Sequence, residues 1–82
     1  MNKKEHLKSI LTRKARLENK RYFDINIGEI SREIGCTSNE VEALLRCLQQ
    51  EKEIKSLVPL GLSKELYALT ILENSSILNP KI

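Results

Sequence analysis

Apolar positions along this chain follow two different periods. From Leu7 through Ile10 and Leu11 they recur at the three- and four-residue steps that gather one face of an α-helix. The stretch opens on Asn2 with Glu5 three positions later, a helix-start signature. Lys14 and Glu18 then fall on that face, with Ala15 and Leu17 to either side, so the first helix is expected to end between Thr12 and Asn19. Tyr22-Phe23-Asp24-Ile25-Asn26 is aromatic and β-branched and too short for a helix, which predicts a short strand. Asn26 serves next as an N-cap with Glu29 behind it, Ile27, Ile30 and Ile34 share a stripe, and Gly35 supplies the positive φ that ends the second helix. Thr37-Ser38-Asn39-Glu40 is a capping box, and Val41, Leu44, Leu45 and Leu48 mark a third helix over about Ser38 to Lys52, frayed at its polar end.

Past Lys52 the period changes. Ile54 to Val58 and Leu66 to Leu72 are β-prone runs separated by a loop over Pro59 to Glu65, which predicts a hairpin. Tyr67, Leu69 and Ile71 alternate with Leu66, Ala68, Thr70 and Leu72, so the second run is apolar on nearly both faces. Residues 74–82 carry Pro80 and no periodicity, and are expected to form a flexible tail after a domain spanning 1–73.

Composition limits what such a set of elements can be. A chain of 82 residues makes one domain and buries only about 60% of the surface its unfolded form exposes, so a homodimer contact or a protein partner would help its thin core. No apolar run approaches the ~18 residues of a membrane span, and the charged start of the chain does not read as a signal peptide; no membrane partner and a cytoplasmic location are expected. The net charge of +3 is unevenly spread: residues 1–21 hold eight basic and two acidic side chains, and the remainder is net acidic. A basic segment of this kind either binds phosphate or is a solvated helix face.

Catalytic chemistry finds little support. Cys36 and Cys47 lie eleven residues apart, and His6 is the single histidine, so no metal set assembles and each cysteine reads as a small hydrophobe. With no Gly-rich phosphate loop and no paired carboxylates, a non-enzyme with no catalytic residue, metal or cofactor is expected.

The stretch from Ile27 to Leu48 runs apolar, two spacers, apolar, the small Ser31, two spacers, apolar, Gly35, a capped turn and a helix. In this order it resembles a helix-turn-helix core, and the whole element order resembles the winged helix-turn-helix superfamily, similar to DeoR-type and small pilus-operon regulators. The resemblance covers residues 3–73 in element order and 27–54 in motif. It implies an α+β, mainly α fold with three helices, a β-hairpin wing and a short strand between the first two helices. It also implies a small DNA-binding regulator of transcription or of a mobile element, acting on double-stranded DNA as a homodimer. Winged helices that read Z-form nucleic acid place Asn and Tyr where this chain has Glu42 and Arg46, so that activity is not expected.

Rotation by about 100° per residue from Val41 turns Asn39, Ala43, Arg46 and Gln50 away from the core, flanked by Glu42 and Gln49. Arg pairs with guanine edges and Asn or Gln with adenine, so Asn39, Arg46 and Gln50 are the candidate base readers, with Ala43 and Gln49 beside them. Ser38, Lys8, Arg13, Lys14, Arg16, Lys20 and Arg21 are the candidate phosphate contacts. Two features point elsewhere. Glu40 and Glu42 in the third helix repel phosphate, and the wing offers Leu57, Val58, Leu60 and Leu62 with only Lys55 and Lys64 as cations. A protein-interaction module that associates through Leu57, Leu60, Leu62, Lys64 and the tail residues Ile77, Leu78 and Ile82 is the alternative.

Overall fold

Three polar side chains start the three helices. In the computed structural model, which describes residues 2–78, the Asn2 side chain accepts a hydrogen bond from Glu5 N–H at 2.8 Å and opens α1 (Lys3–Glu18). Asn26 accepts from Glu29 N–H at 3.0 Å and opens α2 (Ile27–Ile34), and Thr37 accepts from Glu40 N–H at 3.1 Å and opens α3 (Ser38–Gln50). Each cap satisfies a backbone donor that the first helical turn leaves without a partner. Asn19 at φ 54° closes α1 and Gly35 at φ 84° closes α2. Gly35 and Cys36 both donate to the Ser31 carbonyl, which makes the α2–α3 turn tight. The α3 helix stops at Gln50, two residues short of the expected Lys52, because Lys52 adopts φ 62°.

Strands β1 (Tyr22–Asn26), β2 (Ile54–Pro59) and β3 (Leu66–Ile71) form one antiparallel sheet in the order β1-β3-β2. Its inner face presents Phe23, Ile25, Ile54, Leu57, Tyr67, Leu69 and Ile71, all buried, to Leu7, Leu11, Val41, Leu45 and Leu48 of the helices. Ser31, the small residue expected between α2 and α3, is buried and its hydroxyl donates to the Gly28 carbonyl. The result is a small α+β fold of three helices and a three-stranded antiparallel sheet, an order of elements compatible with a winged helix.

Two expectations are corrected. Leu57 is not part of an exposed hairpin surface: it is 6% exposed and stands opposite Leu69. The register slips between Ile54 and Ser56, so that Ile54 pairs with Ile71 and Ser56 with Thr70. The extra residue, Lys55, is a bulge that puts Ile54 and Leu57, three positions apart, on one face. Strict alternation would have turned Leu57 outward. Secondly, the chain does not become loose at residue 74. Ile77 is fully buried in the core and Leu78 packs against it, and Thr12 in α1 donates its hydroxyl to the Ile77 carbonyl at 2.7 Å. The folded unit therefore continues at least to Leu78, and Ile77 is core in its own chain rather than surface offered to a second copy. Ile82 and the other residues of 79–82 lie outside the described residues.

The hairpin is anchored to α2 at its loop. Ile27 N–H donates to the Glu65 carbonyl at 2.8 Å. The Glu65 carboxylate lies against Gly28, where a Cβ would come within 2.7 Å of its Oε1. A glycine in the first turn of α2 lets the anion approach the positive end of the helix dipole, and this contact fixes the hairpin tip beside the start of α3.

Candidate nucleic-acid interface

Helix α3 buries Val41, Leu45 and Leu48 and half-buries Leu44, which leaves Asn39, Ala43, Arg46 and Gln50 exposed together on its outer strip. These are the side chains that the rotation from Val41 turns outward. Gln49 and Ser38 are half-buried at the flank. Ser38, Asn39 and Glu42 form one wall of a hollow whose other wall is the hairpin tip, with Leu62, Lys64 and Tyr67.

Each acidic residue of α3 meets a partner. Lys3 donates to Glu40 at 2.8 Å, and this hydrogen bond and its charge hold the Glu40 carboxyl below its ordinary range and raise the Lys3 ammonium. Lys4 pairs with Glu51 at the other end of α3 and shifts that carboxyl down in the same way. Tyr67 donates to Glu42 at 2.9 Å, and Glu42 also lies 3.7 Å from Arg46, one turn further along α3. The first turn of α1 thus lies across α3, and its two lysines offset the acidic charge of Glu40 and Glu51.

The cations further along the N-terminal segment find other neighbours. Arg13 pairs with Glu33 of α2 at 2.8 Å, Arg21 pairs with Glu73 at 2.8 Å, and Lys20 stands 5.3 Å from the centre of the Tyr22 ring. Arg16, Lys20 and Arg21 rim a hollow floored by Ala15, Ile77 and Leu78, and Lys14 lines a cleft against Ile25, Asn26 and Glu29. Lys8, half-buried, lends positive charge to Glu51 and Glu53. At 1.5 Å per helical residue, Arg16 is about 20 Å along α1 from Lys3. The structure therefore gathers Asn39, Ala43, Arg46 and Gln50 on one strip, whereas three of the expected phosphate contacts meet partners elsewhere in the fold: Arg13 of α1 pairs with α2, and Lys20 and Arg21, just past α1, meet Tyr22 of β1 and Glu73.

Of the hairpin residues, Leu62 is fully exposed, Val58 is 52% exposed and Leu66 is 38% exposed, whereas Leu60 is half-buried. Lys64 is exposed at the tip. Tyr67 and Glu42 were not singled out as a pair from the sequence. The four-residue spacing of Glu42 and Arg46 was visible there, but nothing local links either to a tyrosine on the third strand.

Among the described residues, no helix is long and apolar enough to cross a membrane. No protein-family model, no curated protein and no solved structure matches the chain.

Proposed function

We propose that this chain is a winged helix-turn-helix protein that binds double-stranded DNA by seating α3 in the major groove, as a small regulator of transcription or of a mobile element. The reading is carried by one observation: the outer strip of α3 is exposed and polar, with the small Ala43 between Asn39, Arg46 and Gln50. A small residue there lets a groove wall come close, and the three longer side chains have the donors and acceptors that base edges require. The pairing of Glu40 and Glu51 with Lys3 and Lys4 supports it by reducing the repulsion that these carboxylates exert on phosphate. Lys64 on the hairpin tip and Ser38 at the start of α3 are the nearest candidates for backbone contact. The cations Lys8, Arg13, Lys14, Arg16, Lys20 and Arg21 contribute chiefly to the field that steers a polyanion toward the protein. The protein works without catalysis or cofactor, and the free thiols of Cys36 and Cys47 suit a cytoplasmic setting.

The test is an electrophoretic shift with random-sequence duplex at two salt concentrations. Each neutralised phosphate contributes about −0.9 to the slope of log K against log salt, so a clearly negative slope is expected. A slope near zero, or no shift at low salt, overturns the reading.

A second reading is favoured by the hairpin, where Leu62 is fully exposed with Val58 and Leu66 also open to solvent. An apolar tip of this kind suits contact with a protein or with a second copy of the chain. Such a homodimer is compatible with DNA binding, since two copies would place their α3 helices in half-sites about 34 Å apart.

A further inference from the structure

The groove-facing end of α3 is tied to the sheet through one carboxylate. The Tyr67 ring is buried, 8% exposed, on the inner face of β3, and its hydroxyl donates to Glu42 Oε2 at 2.9 Å. The same oxygen lies 3.7 Å from an Arg46 guanidinium nitrogen, one helical turn along. Burial and the rigid sheet fix the phenol, the phenol fixes the carboxylate, and the carboxylate draws one edge of the guanidinium toward it. Arg46 keeps about half of its side chain open to solvent. A guanidinium is a planar fork with five N–H donors, so an edge facing Glu42 leaves a second edge for a bidentate partner.

A carboxylate beside the DNA-facing strip costs affinity for any polyanion, and Glu42 is the one acidic residue of α3 that meets a tyrosine rather than a lysine. Resting on the DNA-binding reading above, we propose that Tyr67 and Glu42 are positioning residues that aim Arg46 at a guanine, so that α3 specifies a G·C pair at the cost of affinity for DNA in general. Arginine reads guanine through O6 and N7 in the major groove, and an aimed guanidinium loses less freedom on doing so than a free one.

This arrangement separates two quantities that a merely structural role would move together. Wild-type protein and the variants Arg46→Ala, Glu42→Gln and Tyr67→Phe are first compared by binding selection from a duplex library with a randomised core. Fluorescence anisotropy is then measured on the selected duplex, on the same duplex with its G·C pair exchanged for A·T, and on an unrelated duplex. Wild type should prefer the guanine duplex by about tenfold or more, and Arg46→Ala should abolish that preference. Tyr67→Phe should lower the preference several-fold without changing affinity for the unrelated duplex. Glu42→Gln should also lower it, while binding the unrelated duplex more tightly than wild type.

The contact itself is checked without DNA. Its hydrogen bond to Glu42, and then burial, raise the Tyr67 phenol above its ordinary value. Ultraviolet titration should find that shift in wild type and find it reduced in Glu42→Gln. The proposal is overturned if Tyr67→Phe and Glu42→Gln, folded by circular dichroism, keep the full guanine preference. It is equally overturned if the selected site holds no guanine dependent on Arg46, or if the phenol titrates normally in wild type. Failure of wild type to bind any duplex at low salt instead removes the DNA-binding reading, and the proposal with it.

Discussion

Ser76 donates twice to one oxygen of Glu53, from its backbone N–H at 2.9 Å and from its hydroxyl at 2.6 Å, and the Ser75 hydroxyl adds a third bond at 2.8 Å. This carboxylate, on the turn before β2, folds the C-terminal turn back on the sheet and presents Ile77 to the core. Burial tends to raise its pKa, but the hydrogen bonds from Ser76 and Ser75 outweigh that tendency, and the group stays below its ordinary value. Folding therefore favours the charged form. The stabilisation is fully present above the unfolded carboxylate range, about pH 4.3, and is lost as pH falls through the lower folded value. Glu53→Gln should cost about 1–2 kcal/mol at neutral pH. Its melting temperature should fall less steeply with acid than that of wild type, which thermal melts from pH 7 to pH 3 will measure.

The same turn delivers Ile77, fully buried between α1 and the sheet. Ile77→Ala should destabilise the fold by about 2–5 kcal/mol, and deletion of residues 74–82 should destabilise it at least as much. Urea denaturation checks both. A tail with no part in the core would show neither loss.

On the hairpin, two leucines five residues apart separate core from surface. Leu57→Asp buries a charge opposite Leu69 and should abolish cooperative unfolding, whereas Leu62→Asp should leave the melting temperature within a few degrees of wild type. The folded Leu62→Asp variant then tests the hairpin as an interface by gel filtration. A shift to smaller size supports self-association there, and an unchanged size counts against it.

On the DNA-binding reading, Lys64 contacts phosphate and Arg46 a base edge. Lys64→Ala should weaken binding to all duplexes alike and reduce the salt slope by about one unit, while Arg46→Ala should reduce discrimination between duplexes by about tenfold. Anisotropy titrations at four salt concentrations distinguish the two patterns.

Most of the secondary structure was legible locally. Asn2, Asn26 and Thr37 are caps recognisable from the acidic residue three positions on, and the Val41, Leu45, Leu48 stripe determines which strip of α3 faces out. Less of the candidate site was legible. Lys3 and Lys4 belong with Glu40 and Glu51 across 37 and 47 residues of sequence, and neither pair has a local signal. The cations from Arg13 to Arg21 form a single basic segment in the chain, but Arg13, Lys20 and Arg21 meet partners in three different parts of the fold.

The amino-acid sequence by itself determined the helices, the strands and the outward strip Asn39, Ala43, Arg46 and Gln50, because caps and the helical period depend on residues within a turn or two of one another. Only the tertiary structure decided that Leu57 points inward, that Ile77 completes the core and that Tyr67 holds Glu42 beside Arg46. The Lys55 bulge is visible only against β3, and Thr12 meets Ile77 across 65 residues. Such contacts exist only once the helices have packed on the sheet and excluded water from between them.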